Sequence, residues 1–210
     1  GDRITTAALA DSASHKVDTT APYVISLFDN VTDPVTNGNV SFTVTFNEAF
    51  GTGQTLTKDY FSANYGSVQS VTPTGIANQY TVLVTPSSDV AGADLALTFK
   101  STAGSVTLTD VASNAAAAST SLDGLGKQAI DTLKPTVTLS TQTQTNNDDN
   151  VVFRSSETGT AYLVDASVTV NGVADITPLA ASRKKAMDIN ALGSSDLNLN
   201  TTGLAAGSYK

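Results

Sequence analysis

Val40-Ser41-Phe42-Thr43-Val44-Thr45-Phe46 decides the fold. Large apolar residues take every second position. An extended backbone therefore puts Val40, Phe42, Val44 and Phe46 on one face and Ser41, Thr43 and Thr45 on the other. A helix would scatter the same residues around its circumference. The run follows Asn37-Gly38, a strong turn signal, and stops at Asn47 and Glu48. It reads as a half-buried strand with one wet face.

Working outward, the same reading recurs. Tyr23–Phe28 is a short apolar run. Tyr80, Val82 and Val84 alternate, as do Ala93, Leu95, Leu97 and Phe99, and Val106 with Leu108 makes a shorter run. Gly51-Thr-Gly53, Pro73-Thr-Gly75, Pro86-Ser-Ser-Asp89 and Ala103-Gly104 punctuate them. Ala115–Ala118 has the composition of a helical turn, but its Ser and Thr neighbours favour a last strand. Hydrophobic residues make up 40% of the 210-residue protein, enough for a core, and charged residues only 14%. The balance is taken by Thr, Ser, Val, Ala, Asn and Gly, which suit strands and turns.

The sequence also repeats itself. Asp18-Thr-Thr-Ala-Pro22 and Asp131-Thr-Leu-Lys-Pro135 each lead into a strand, Tyr23–Phe28 and Thr136–Ser140. A polar loop follows in both copies, then a second strand that runs into a glutamate: Val40–Phe46 to Glu48, and Val151–Phe153 to Glu157. Copy two continues with Tyr162–Val164, Val168–Val170 and Leu197 with Leu199. The copies lie about one immunoglobulin-like domain apart. The expected fold is all-β, two tandem immunoglobulin-like β-sandwiches, the second lacking its last strand. Residues 1–16 are expected to be the tail of a preceding domain or a linker, 17–130 the first sandwich and 131–210 the incomplete second one. The opening Gly1-Asp2-Arg3 reads like the interior of a longer protein.

Asp18-Thr-Thr-Ala-Pro22, Phe46-Asn-Glu-Ala49 and Thr109-Asp-Val-Ala-Ser-Asn114 resemble the tandem bacterial immunoglobulin-like repeats of large surface adhesins. Those repeats carry Asp-Thr-Thr-Ala-Pro, Phe-Ser-Glu-Ala and Thr-Asp-Ala-Ala-Gly-Asn. Here Asn47 replaces the Ser, Val111 an Ala and Ser113 the Gly. Ser155–Val164 is similar to another subtype of the same repeats, in which Gly-x-Tyr-Lys precedes one more strand and loop. The resemblance covers most of residues 17–210. It implies a secreted, repetitive, calcium-requiring stalk at the bacterial cell surface, with neighbouring repeats of the same polypeptide as its partners and any host or surface ligand met through other domains.

Strand direction brings acids together. In a sandwich the first strand leaves a pole and the second returns to it, so Asp18 meets Glu48, and Asp131 meets Glu157. The strand Ala93–Phe99 points back to the first pole, and the loop beyond it adds Asp110 and Asn114. Crowded carboxylates repel, and a divalent cation relieves that repulsion. With oxygen donors and no His or Cys, the cation expected is calcium, which takes 6–8 oxygen ligands. Magnesium fits the same chemistry but prefers a tighter, wetter octahedron. The candidate ligands are Asp18, Glu48, Asp110, Asn114, Asp131 and Glu157, with Asp89 or Asp33 as interdomain ligands. Asp29 and Asn30 belong to the same far pole. The competing job for these residues is local, since Asp and Asn cap turns by accepting nearby backbone N–H groups. The acidic run Asn146–Asn150 is expected to be a hairpin tip.

Several function classes fall away. A net charge of -8 opposes phosphate binding, so no nucleic acid is expected. Without cysteine there is no zinc finger, disulfide or thiol nucleophile. No apolar run is long enough to span a membrane. His15 is the sole histidine, and no Gly-x-Ser-x-Gly elbow, phosphate loop or dinucleotide motif accompanies it, so no enzyme is expected. Paired acids cleave glycosides, but only in a substrate cleft. Lys58 with Asp59 and Glu48 carries no motif for a lysine–asparagine crosslink. Tyr60, Phe61 and Tyr65 are expected in the core, and Arg183-Lys184-Lys185 as a solvated patch. A polysaccharide-binding module and a surface-layer building block share the fold. With no Trp and only 6% aromatic residues, the platform for sugars is thin.

Overall fold

The computed structural model describes residues 17–31, 34–35, 37–119, 122, 125–140, 150–190 and 196–210. Expectations for residues 1–16, His15, Asp33 and the run 146–149 fall outside them. The protein is all-β: among the described residues its helical content is one four-residue α-helix and one 3-10 turn, Lys58–Tyr60. It forms two compact units, divided between Leu133 and Lys134. Asp131, Thr132 and Leu133 stay with the first unit because their N–H groups donate to the carbonyls of Val35 and Val90. The division therefore falls slightly beyond residue 130.

The first unit holds β1 (Val24–Asp29), β2 (Val40–Phe46), β3 (Phe61–Ala63), β4 (Gly66–Pro73), β5 (Gln79–Pro86), β6 (Ala93–Leu95), β7 (Leu97–Phe99), β8 (Thr102–Ala103), β9 (Val106–Thr107) and β10 (Gln128–Ile130). A four-stranded antiparallel sheet runs β1-β2-β5-β4. The alternation of β2 is realised fully: Val40, Phe42, Val44 and Phe46 are buried and the three residues between them only partly so. Val82 and Val84 of β5 line the same core, and the pairs β3–β7 and β6–β10 contribute Phe61, Phe99, Leu97, Leu95 and Ile130. Each of these residues contributes about 1.5–3 kcal/mol by leaving water. Phe46 anchors the end of this core nearest Glu48. Its ring meets Phe50 edge-on at 4.9 Å and Phe99 at 5.0 Å, a geometry that adds to the area term.

Ala93–Phe99 is not one strand. It breaks at Ala96, where the backbone passes from β10 to β3 as its partner. Asn64 fills the break: Oδ1 accepts from the Ala96 N–H, its backbone N–H donates to the Ala96 carbonyl, and Nδ2 donates to the Asp94 carbonyl. Ala115–Ser119 is extended without forming a regular strand, and it touches Thr109 and Phe99 only by isolated bridges. Tyr60 and Phe61 are buried as expected, but Tyr65 is half exposed, at a positive φ of 49° in the turn between β3 and β4.

The second unit holds β11 (Val137–Leu139), β12 (Asn150–Ser155), β13 (Gly159–Val164), α1 (Val173–Ile176), β14 (Lys184–Ile189) and β15 (Leu197–Asn200). One sheet runs β11-β12-β15, and β13 pairs with β14. Its core is small: Phe153, Ile189 and Leu199, flanked by Ala161, Leu163, Met187 and Leu197. Val168–Val170 forms no strand. The backbone turns there and enters α1. The strand that completes the pair is Lys184–Ile189, in register from Gly159↔Ile189 to Val164↔Lys184. The basic run is not a free patch. Arg183 Nε donates to Asp165 Oδ2 at 3.0 Å, and Lys184 Nζ caps the carbonyls of Ile176 and Thr177 at the end of α1.

Candidate metal centre

The site begins with the segment that leads into β1. Asp18 Oδ1 accepts the Thr20 N–H at 3.0 Å, a local turn that fixes the aspartate ahead of Pro22. The loop after β2 comes alongside through Asn47. Its Oδ1 accepts the Tyr23 N–H at 2.6 Å, and its Nδ2 donates to the Ala21 carbonyl and to Glu48 Oε1. The third segment follows Thr109. Asp110 is buried, and its carboxylate closes a tight loop: Oδ1 accepts the Asn114 N–H at 2.8 Å and Oδ2 accepts Asn114 Nδ2 at 2.7 Å. Asn114 Nδ2 also donates to the Asp18 carbonyl at 3.1 Å, tying this loop to the first segment.

Asp18, Glu48 and Asp110 therefore converge, each with a carboxylate oxygen within 4.8 Å of the others. Two ligands at 2.3–2.6 Å from one calcium ion stand at most about 5 Å apart, so the three oxygens fit a shared hard cation. The donor set is all oxygen, graded from exposed Asp18 through half-buried Glu48 to buried Asp110. No imidazole or thiol is among them, which leaves a soft metal without its preferred ligands. Asn114 joins as a hydrogen-bond donor and framework residue. Burial pushes the Asp110 carboxyl upward, but the Asn114 amide and the backbone N–H groups of Asn114, Ala112 and Ser113 outweigh it. They hold Asp110 below the ordinary carboxylate range, ionised and ready to meet a cation.

Two contributors escaped the sequence reading. Asn47 stood out only as a departure from Ser, yet an amide has a donor and an acceptor and so clasps both Ala21 and Tyr23. Gly51 is buried against Asp110, close enough that no side group fits between them.

The remaining candidates are placed as follows. Asp131 Oδ1 accepts the Leu133 N–H at 3.3 Å, the same local turn that Asp18 makes with Thr20. Glu157 lies in the second unit, where its backbone N–H and carbonyl both meet Ser155 Oγ. Its Oε1 is buried with no hydrogen-bond partner among the described residues. Ser156 repeats the role of Asn47: Ser156 Oγ accepts the Thr136 N–H at 2.8 Å, and the Ser156 N–H donates to the Thr136 carbonyl. The two copies thus share a backbone clasp at the start of their first strands. Asp131 belongs to the first unit and Glu157 to the second. Asp89 is exposed, at a positive φ of 59°. Asn30 is engaged in the sheet through Ser41 and Thr43. Lys58 and Asp59 are exposed. Among the described residues, no helix is long and apolar enough to cross a membrane.

Comparison with protein-family models, with curated proteins and with solved structures returns no match.

Proposed function

We propose that the protein is a calcium-rigidified structural stalk module, made of immunoglobulin-like repeats, of a large secreted bacterial surface protein of the adhesin type. The observation that carries this reading is the convergence of Asp18, Glu48 and Asp110 from three distant segments on one point at the start of β1. A cation there binds the incoming segment to two loops of the unit and fixes the direction in which it enters. Stalks need this property, because an array of repeats is only as stiff as the segments that join them. The repeated clasps at Tyr23 with Asn47 and at Thr136 with Ser156 support a tandem design. The low charge content and the Asp-Thr-x-x-Pro motifs support the kinship with surface repeats.

The test is thermal unfolding of the full-length protein with calcium and with a chelator. Ligand bound only to the folded state at a hundredfold excess over Kd stabilises by about 2.7 kcal/mol, a rise of roughly 10 °C in the midpoint of the first unit. Small-angle scattering in the same two conditions reads the stiffness, and the profile broadens in chelator. An unchanged midpoint and profile overturn the calcium reading. Specific retention on a glycan array would replace the stalk with a polysaccharide-binding module, and assembly into two-dimensional sheets with a surface-layer unit.

A further inference from the structure

The sequence contains two Asn-Gly steps, Asn37-Gly38 and Asn171-Gly172, and the structure treats them differently. Both are exposed, and a β-carbon added at either glycine would meet open space. Neither glycine is crowded by its surroundings, and neither carries a side chain to hinder attack by its nitrogen on the asparagine amide. The difference lies in the hydrogen bonds. Among the described residues, Asn37 and Gly38 make none, and Gly38 sits at a positive φ of 86°. At the other step, Asp175 Oδ2 accepts the Asn171 N–H at 2.8 Å and the Gly172 N–H at 3.2 Å, ahead of α1.

We infer that Asn37 is a site of spontaneous deamidation, and that Asp175 shields the chemically identical step at Asn171. At Asn37 the Gly38 nitrogen loses its proton to solvent base and attacks Cγ of Asn37. A bond forms between that nitrogen and Cγ, the bond from Cγ to Nδ2 breaks, and ammonia leaves. Water then opens the succinimide at either carbonyl, giving aspartate or isoaspartate. The sum is one water consumed and one ammonia released, with no change of oxidation state. At Asn171 the same attack requires the Gly172 amide to become an anion beside the Asp175 carboxylate. That like charge disfavours the anion, and the hydrogen bond to Oδ2 engages the proton that must leave. The product at Asn37 adds a negative charge to the loop ahead of β2. As isoaspartate, it also lengthens the backbone just before the pairing of Val40 with Val84.

The test is incubation of the full-length protein at mildly alkaline pH, with peptide mass mapping and enzymatic isoaspartate labelling over time. In the folded protein Asn37 converts at least about tenfold faster than Asn171, and in strong denaturant the two rates converge. Asp175→Ala raises the Asn171 rate toward that of Asn37 in the folded protein. Should this variant fail to fold, the native-against-denatured comparison on the unaltered protein decides alone. Equal rates in the folded protein overturn the inference. A rate difference that persists in denaturant, or a folded Asp175→Ala variant with an unchanged Asn171 rate, overturns the shielding by Asp175.

Discussion

Gly51 lies flat against Asp110: a β-carbon at Gly51 would stand 2.8 Å from the Asp110 carbonyl oxygen. The Gly51 N–H donates to the neighbouring Thr109 carbonyl at 2.7 Å, so the loop after β2 and the segment bearing Asp110 are joined without room for a methyl group. Gly51→Ala is expected to destabilise the first unit by about 1–3 kcal/mol and to weaken calcium binding as the carboxylates of Glu48 and Asp110 move apart. Denaturant unfolding and calorimetric titration with calcium measure the two effects. A variant as stable and as responsive as the parent would show that the contact is slack.

Glu48 and Asp110 respond differently to neutralisation. Glu48→Gln retains an oxygen for the Asn47 amide and removes one of three crowded charges. Its midpoint in chelator is expected to stay level or rise slightly, while the calcium increment disappears. Asp110→Asn places a second NH2 group against Asn114, which needs acceptors on both sides. Its midpoint is expected to fall by roughly 5 °C even in chelator. Thermal melts of both variants, with and without calcium, separate the metal from the framework. A Glu48→Gln variant that keeps the full calcium increment would exclude Glu48 as a ligand.

Ser113 adopts a φ of 72°, in the left-handed region that L-residues resist. Glycine, with no β-carbon, occupies this region without strain. Ser113→Gly is expected to stabilise the first unit by about 0.5–1 kcal/mol, the relief of backbone strain exceeding the added entropy of glycine. Denaturant midpoints would register the gain, and a loss instead would mean that the Ser113 hydroxymethyl group contributes more than its strain costs.

Acid should weaken the second unit through Asp165. Hydrogen bonds from the Ser167 hydroxyl and backbone N–H, together with the Arg183 guanidinium, hold its carboxyl at about 2. The folded value lies below the ordinary 3.8, so its stabilising contribution is complete above that value and drains away as pH falls toward 2. Asp110 acts in the same direction in the first unit. Carboxyl-carbon NMR titration resolves the two residues. Asp165 should titrate near 2, and Ser167→Ala should move its midpoint upward. An ordinary midpoint for Asp165 in the folded protein would remove this account of acid sensitivity.

Strands whose alternation is local were legible in the sequence. β2 and β5 show their buried faces residue by residue, because the environment of each residue follows from the pleat alone. The break at Ala96 was hidden, since the residue that fills it, Asn64, arrives from a remote turn. Lys184–Ile189 was missed because its lysines look solvated, yet Lys184 spends its charge on the carbonyls that end α1. Val168-Thr169-Val170 misled in the opposite sense: its alternation is that of a strand, but Asp165 draws the backbone into a turn by accepting both the Ser167 N–H and hydroxyl. The gathering of Asp18, Glu48 and Asp110 was legible because it depends only on which way strands run. The part of Asn47 was not, because it depends on atoms at the tip of one residue.

The fastening of residues 18–23 sets how the first unit bears load. Asn114 grips the Asp18 carbonyl, Ala117 the Pro22 carbonyl, and Asn47 holds both Ala21 and Tyr23. A tug arriving ahead of Asp18 is divided between two separate parts of the molecule before any of it reaches the edge strand. These bonds must open before strain applied at Asp18 reaches β1, as stitches placed ahead of a seam shield the seam itself.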